Sequence, residues 1–191
     1  MFDQLFKSIQ EKVALSETER ELCKPYFVPK KVLKKEMLQV SGGLCQYNIF
    51  VEKGVLRSFY VDDKGNEHTI QFAVEGWWIT DLASFLTQST SIYTIQALED
   101  SEVLLLTVAT REALMEQVPL FERYQRLLLQ NAYVANQERI NSVLTASVEE
   151  KYIQLLHRYP NIVQRVPQHM IASYLGCTPA TLSRVRKKIS S

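Results

Sequence analysis

The chain has 191 residues, 46% of them hydrophobic and 23% charged, a balance that suits one large globular domain or two small ones. No apolar run approaches the roughly 18 residues of a membrane span, and the start Met1-Phe2-Asp3-Gln4-Leu5-Phe6-Lys7 has neither the basic region nor the apolar stretch of a signal peptide, so a cytoplasmic protein with no membrane partner is expected. The net charge of +1 conceals an asymmetry: residues 151–191 hold seven of the 22 Lys and Arg and none of the 21 Asp and Glu, which leaves +7 there and −6 on residues 1–150, the footprint of a chain that meets a polyanion with one end.

Taken in order, residues 2–24 read as two short helices. Ser16 with Glu19 three residues on forms a capping box for the second, and Pro25 marks its end. From Tyr26 to Thr107 the pattern changes to short β-rich runs, clearest at Asn48-Ile49-Phe50-Val51, residues 55–61, residues 68–74, residues 93–98 and Val103-Leu104-Leu105-Leu106. Lys53-Gly54, residues 62–66 and Glu75-Gly76 separate them, each suited to a hairpin or a bend. Many short strands at this spacing imply a sandwich, jelly roll or barrel. Cys23, Cys45 and Cys177 are odd in number and widely spaced, and are expected to be reduced packing residues.

Helical periodicity returns with a short helix over residues 110–115 and a long one over about residues 120–144. The stripe Phe121, Tyr124, Leu127, Leu128, Ala132, Ala135 and Val143 is interrupted by Asn131, Asn136 and Asn141, so the helix is too long and too polar to be buried in one small domain. Parallel pairing with a second copy explains this, with Asn131 a candidate register-setting residue; a helix lying along its own β-domain is the alternative. Ser147 is the expected N-cap of a further helix over residues 148–158, with Glu149 and Glu150 favourably placed against its dipole. Tyr159-Pro160-Asn161 ends it, and residues 161–166 are the connection to the last unit.

That unit, residues 167–189, reads as a helix, a tight turn at Gly176 and a second, basic helix: a helix-turn-helix whose second helix enters the DNA major groove. Ile171, Leu175, Leu182, Val185 and Ile189 supply an apolar seam, and Ala172 permits close approach. Gly176 supplies the backbone freedom of the turn. Thr178 is the N-cap, and Pro179 sits at the first helical position, where its missing N–H costs nothing. Ala180, Thr181, Ser183, Arg184, Lys187 and Lys188 are then left on the outer face. An ordinary helical hairpin is the alternative.

The order β-roll, long helix, helix-turn-helix resembles the Crp/Fnr superfamily of bacterial transcription regulators over nearly the whole chain. One carrier is Ile171-Ala172, Gly176-Cys177-Thr178 and Thr181-Leu182-Ser183-Arg184, similar to the family's helix-turn-helix. The other is Glu75-Gly76-Trp77-Trp78-Ile79-Thr80-Asp81-Leu82 with Ser84-Phe85-Leu86 and residues 97–103, which stands in the place of the phosphate-binding cassette; its double Trp resembles the version common in Bacteroidetes regulators. The resemblance implies an α+β fold with a cyclic-nucleotide-binding-like β-roll (jelly roll) over 1–116, a connecting and dimerisation helix over 117–146 and a helix-turn-helix domain over 147–191.

Departures from the family pattern matter as much. Cyclic-AMP-binding members carry a Gly-Glu pair for the ribose and an Arg-Ser pair for the phosphate; here these are Thr80-Asp81 and Ser91-Ile92, and no Arg or Lys lies between Lys64 and Arg111. A buried phosphate needs a paired cation or a nest of donors, so cyclic-nucleotide binding is not expected and the pocket is empty or takes another effector. Its candidate residues are Trp77, Trp78, Asp81, Ser84, Ser91 and Tyr93, with the aromatics as plain core the alternative. Two cysteines before the last domain are too few for an iron-sulfur cubane, and His68, His157 and His169 give no haem site, so no metal or cofactor is expected.

The resemblance makes Arg184 the base reader, bidentate to guanine, while Pro179 and Ala180 replace the family's other polar readers. Ala180 and Thr181 would offer apolar contact to a thymine methyl. His169, Thr178, Lys187 and Lys188 would be phosphate contacts. Two residues after Ile189 leave no room for the β-hairpin wing that usually follows. The expected function is a homodimeric, sequence-specific regulator binding double-stranded DNA, with RNA polymerase and an unknown small-molecule effector as further partners, and no enzymatic activity. The alternatives are a cupin-like binding protein or enzyme, disfavoured because His68 is the lone β-region histidine, and a regulator working through protein contacts only.

Overall fold

The computed structural model describes residues 1–189. Two short helices, α1 (Asp3–Gln10) and α2 (Glu17–Cys23), precede eight strands: β1 (Val28–Val32), β2 (Met37–Gln39), β3 (Asn48–Lys53), β4 (Leu56–Val61), β5 (Glu67–Ala73), β6 (Trp78–Ile79), β7 (Thr94–Ala97) and β8 (Ser101–Leu106). A helix α3 (Leu82–Thr87) lies between β6 and β7. The chain continues as α4 (Val108–Gln117), α5 (Pro119–Thr145), α6 (Val148–Arg158), α7 (Ile162–Arg165), α8 (Gln168–Leu175) and α9 (Pro179–Ile189).

The strands form two four-stranded antiparallel sheets, ordered β1-β8-β3-β6 and β2-β7-β4-β5. Alternation of side chains across a strand explains the continuous apolar runs. Ile49, Val51, Val103 and Leu105 face a core between the sheets, whereas Phe50, Leu104 and Leu106 face a second core under α1, α4 and α5. A third core joins Val55, Phe72 and Leu98 of the second sheet to α6 through α9. The layers therefore run helices, sheet, sheet, helix-turn-helix domain, and each sheet is buried on both sides where these helices cover it.

Local signals place the joints. Ser16 and Glu19 make the expected capping box, as do Ser147 and Glu150 at α6. Asp62 closes the β4–β5 hairpin by accepting from the Lys64 and Asn66 amides at 3.0 and 2.8 Å. Lys53-Gly54 is a bend rather than a hairpin, because β3 and β4 belong to different sheets. Gly54 has φ 104°, and a Cβ there would sit 2.9 Å from Ser101 Cα. The buried Glu52 carboxylate of β3 accepts the Gln4 and Leu5 amides at 3.2 and 2.8 Å, fixing the first turn of α1 to the sheet. Burial lifts the Cys23 thiol to about 11, so it stays neutral and packs like a small apolar group.

Five elements go beyond the sequence expectation: β1, β2, β6, α3 and α7. β1 is an edge strand carrying Pro29, Lys30 and Lys31, composition that blunts an edge and weakens its strand signature. The long helix appears as expected, yet only Phe121, Tyr124 and Gln125 are buried on it. Leu127 and Leu128 are half-buried against the same core, while Asn131, Ala132, Tyr133, Val134, Ile140, Val143 and Leu144 are exposed. Contact with its own β-roll thus buries the first third of α5; further on, Ala135, Arg139 and Ser142 are half-buried, while the apolar side chains named above stay exposed.

Replacing Gly54 by Ala is expected to destabilise the fold by more than about 1 kcal/mol, since the new Cβ meets both a positive φ and the Ser101 backbone. Chemical denaturation checks this, and a change within about 0.3 kcal/mol would show that the β3–β4 bend relaxes freely.

Candidate nucleic-acid interface and cassette

The helix-turn-helix is built by the signals that its sequence carries. At the end of α8, Gly176 is left-handed (φ 69°, ψ 34°); the Cys177 amide donates to Ala172 O at 3.0 Å and the Gly176 amide to Ser173 O at 3.1 Å, a Schellman arrangement that turns the chain sharply. Thr178 Oγ1 then accepts the Thr181 amide at 3.2 Å, and α9 starts at Pro179. Ile171, Ala172, Leu175 and Leu182 are buried with Tyr152, Leu155, Tyr159, Ile162 and Val166. Val185 is half-buried. Ile189 is 39% exposed and leaves the expected seam, because the core beneath α9 ends before the last turn.

Outward from this seam, Thr178, Pro179, Ala180, Ser183, Arg184, Lys187 and Lys188 are exposed and Thr181 is half-buried. Lys188 is not idle: its Nζ lies 2.6 Å from the Glu149 carboxylate on α6. Arg186 turns inward toward Gln168. His169 stands on the first turn of α8 and lines a cleft of about 600 Å³ between the β-roll and the helix-turn-helix domain, with Lys34, Lys35, Arg57 and Arg165.

The six cassette candidates do not form one pocket. Asp81, Ser84, Ser91 and the Tyr93 backbone come together: Asp81 Oδ2 accepts the Ser84 and Ser91 hydroxyls at 2.8 and 2.9 Å, Oδ1 accepts the Ser84 amide at 3.3 Å, and Ser91 Oγ accepts the Tyr93 amide at 3.0 Å. The buried carboxylate consumes these donors. The two Trp residues part company with this group and with each other. Trp78 packs on Phe27 and Phe50 and donates from Nε1 to Tyr124 Oη at 3.0 Å, whereas Trp77 lies 5.2 Å from the Tyr159 ring and 5.0 Å beneath the Arg158 guanidinium. Adjacent residues on extended backbone point to opposite sides, so a shared pocket for both was geometrically excluded. Among the described residues no group of three or more His, Cys, Asp or Glu is placed to hold a metal ion, and no helix is long and apolar enough to cross a membrane.

Sequence reasoning missed the residues that fix the helix-turn-helix domain to the β-roll. Ser173 Oγ accepts the Thr69 amide and donates to Glu67 O, both at 2.9 Å; Tyr159 Oη donates to Phe72 O at 3.0 Å; Arg139 on α5 donates to Ile70 O and stacks over Tyr174. Arg165 on α7 forks onto Glu75 (2.7 and 2.9 Å) and also reaches Glu99 at 2.6 Å. No local signal announces these partners, which are 66 to 106 residues apart in sequence. Burial by itself would raise the Glu75 carboxyl, but hydrogen bonds from Arg165 and the Gly54 amide outweigh it and hold the group below its ordinary value of 4.5; the bonds to Glu75 and then Glu99 raise the Arg165 guanidinium.

The family described as "Cyclic nucleotide-binding domain" matches residues 29–118. A comparison with curated protein sequences finds no match. Among solved structures, the catabolite activator protein of Thermus thermophilus is similar at 22% identity over 93% of this chain and 84% of its own, with a TM-score of 0.59. The c-di-GMP-responsive global regulator CLP of Xanthomonas campestris is similar at 13% identity over 92% of both chains, with a TM-score of 0.71. A Eubacterium rectale protein assigned to the Crp/Fnr family of transcriptional regulators is similar at 18% identity over 92% of this chain and 84% of its own, with a TM-score of 0.67.

Because Glu75 has a depressed folded-state pKa, its contribution to stability is fully present above 4.5 and is lost as pH falls through the lower folded value. Acidification from pH 5 downward is therefore expected to release the Arg165 contact, and Glu75→Gln to flatten that part of the stability–pH curve. Thermal unfolding of both proteins across this range checks it; parallel curves would remove Glu75 from the account.

Proposed function

We propose that this chain, a cyclic-nucleotide-binding-type β-roll joined by a long helix to a helix-turn-helix in the Crp/Fnr architecture, is a homodimeric, sequence-specific DNA-binding transcription regulator not controlled by cyclic AMP. The observation that carries the DNA-binding reading is the outer face of α9. Arg184 projects from it exposed and, among the described residues, without a hydrogen bond or ion pair, on a segment that holds no acidic residue from 151 onward. A free guanidinium on a helix that enters a major groove suits bidentate contact with guanine O6 and N7. Ala180 and Thr181 beside it favour apolar contact with a thymine methyl. Lys187, Lys188, Thr178 and His169 serve as phosphate contacts, with Lys188 exchanging Glu149 for a phosphate.

Dimerisation through α5 follows from its exposed apolar side chains Leu129, Tyr133, Val134, Ile140, Val143 and Leu144. A parallel pair of such helices covers this stripe and sets two recognition helices toward grooves about 34 Å apart. The β-roll is the regulatory input, with RNA polymerase the partner downstream.

Independence from cyclic AMP rests on the cassette. Its interior holds a buried carboxylate that already accepts from Ser84 and Ser91, and no Lys or Arg is present between Lys64 and Arg111 to offset a second anion. An effector of the cassette would be uncharged or cationic.

Selection from a random duplex pool followed by salt titration is expected to yield a palindromic site and a steep negative salt slope. Arg184→Ala should relax one base step per half-site by about 1–3 kcal/mol, whereas Lys188→Ala weakens all sequences alike; identical behaviour of the two variants contradicts the assignment of Arg184. Cyclic AMP and cyclic GMP should leave the melting temperature unchanged, and a shift of several degrees would overturn the reading of the cassette.

A further inference from the structure

We infer that Arg165, clamped between Glu75 and Glu99, is a positioning residue that sets which half-site spacing this protein accepts, without contributing to which bases it reads. The inference rests on the dimeric DNA-binding function proposed above.

The covalent route from the β-roll to α9 is loose at one point. α5 ends at Thr145, Ala146 is extended (φ −88°, ψ 144°), and Ser147 already caps α6, so a short extended joint separates the two helices. α5 itself is fixed: Phe121 and Tyr124 are fully buried, and Tyr124 is bonded to Ser8 and Trp78. Ser142 with Gln154, Lys151 with Val143 O and Arg139 over Tyr174 bridge α5 to α6 and α8 directly, and the remaining constraint on the orientation of the helix-turn-helix domain comes from its contacts with the β-roll.

Those contacts have a particular geometry. Ser173 bonds to Glu67 O and Thr69 N, Tyr159 to Phe72 O, and Arg165 to Glu75 in the loop that continues the strand, so these polar anchors follow β5 and its extension. Off this line Val55, Leu98 and Trp77 contribute apolar contacts, which are non-directional, and Glu99 supplies the directional polar contact there. It follows β7, which β4 separates from β5 in the sheet, and it meets the Arg165 fork at Nη2 (2.6 Å) and Nε (3.4 Å). A planar guanidinium spans two carboxylates in a fixed geometry that an ammonium does not reproduce. The Arg165 side chain is only 25% exposed, and the pairs are correspondingly less screened than surface ones.

Arg165 cannot influence base reading directly, since it lies on α7 at the β-roll side while Arg184 lies on the outer face of α9. Its effect appears in the relation between two copies. One inserted base pair moves a half-site by about 3.4 Å and turns it by about 35°, so discrimination between spacings requires rigidly placed recognition helices.

The test uses the full chain and the palindrome selected by the wild-type protein, with its central spacer lengthened or shortened by one base pair. Wild type is expected to lose about tenfold or more in affinity at either altered spacing, and Arg165→Ala about threefold or less, with the ranking of half-site sequences unchanged. Arg165→Lys and Glu99→Gln, which preserve bulk and keep the test readable if Arg165→Ala fails to fold, should also narrow the spacing ratio. A purely structural role weakens all spacings in proportion and leaves the ratio at its wild-type value; that result overturns the inference while the DNA-binding reading stands. Indifference of wild type to spacing overturns it as well. If wild type selects no site, the functional reading itself falls and takes this inference with it.

Discussion

An edge strand presents backbone donors and acceptors that must find partners, and in this protein the edge of β5 finds them in side chains rather than in another strand. Ser173 answers Glu67 O and Thr69 N, Arg139 answers Ile70 O, and Tyr159 answers Phe72 O. Ile70 is the extra residue where the β4–β5 register shifts between Ser58 and Phe59, so the bulge turns its carbonyl away from β4. The seam that closes the sheet is consequently the same seam that docks the helix-turn-helix domain. Breaking it costs both domains, since it exposes polar groups on β5 and apolar surface at Phe72, Val55 and Leu98.

The cassette is tied into this seam at its entrance. Trp77 is packed under Arg158 and against Tyr159 of the helix-turn-helix domain, while Trp78 reaches the long helix through Tyr124. A displacement of the short β6 strand therefore bears on both outputs at once. Downstream, Asp81 gathers Ser84 and Ser91 around a buried carboxylate, which stabilises the start of α3 from inside the fold. Whatever acts on the β-roll has a short mechanical path to the helix-turn-helix domain, through groups that pack in discrete arrangements.

Legibility in the sequence followed the range of the interactions. The helix-turn-helix was readable because Gly176, Thr178 and Pro179 act within a few residues of one another, and the structure returns their turn, cap and start. The apolar runs at 48–51 and 103–106 announced strands because burial on both faces removes alternation. β1 was hidden by Pro29 and two lysines suited to an exposed edge, and α3 by its six-residue length. Trp77 and Trp78 face different surroundings because adjacent residues on extended backbone point in opposite directions, which a list of aromatic residues does not convey. The Arg165 clamp left no trace, since Glu75 reads as a turn residue and Arg165 as one basic residue among seven in its segment. Nothing local encodes a meeting across 90 residues.

Hydrogen exchange at the Thr69 amide tests the central claim most directly. This amide points off the sheet edge and donates to Ser173 Oγ at 2.9 Å, so its protection reports the docking of the helix-turn-helix domain alone. The account predicts slow exchange at Thr69 in the intact protein and fast exchange in Ser173→Ala, with the amides that pair β5 to β4 unchanged. Fast exchange at Thr69 in the intact protein would contradict it, because the edge of β5 would then be open to water and the domain that covers it undocked.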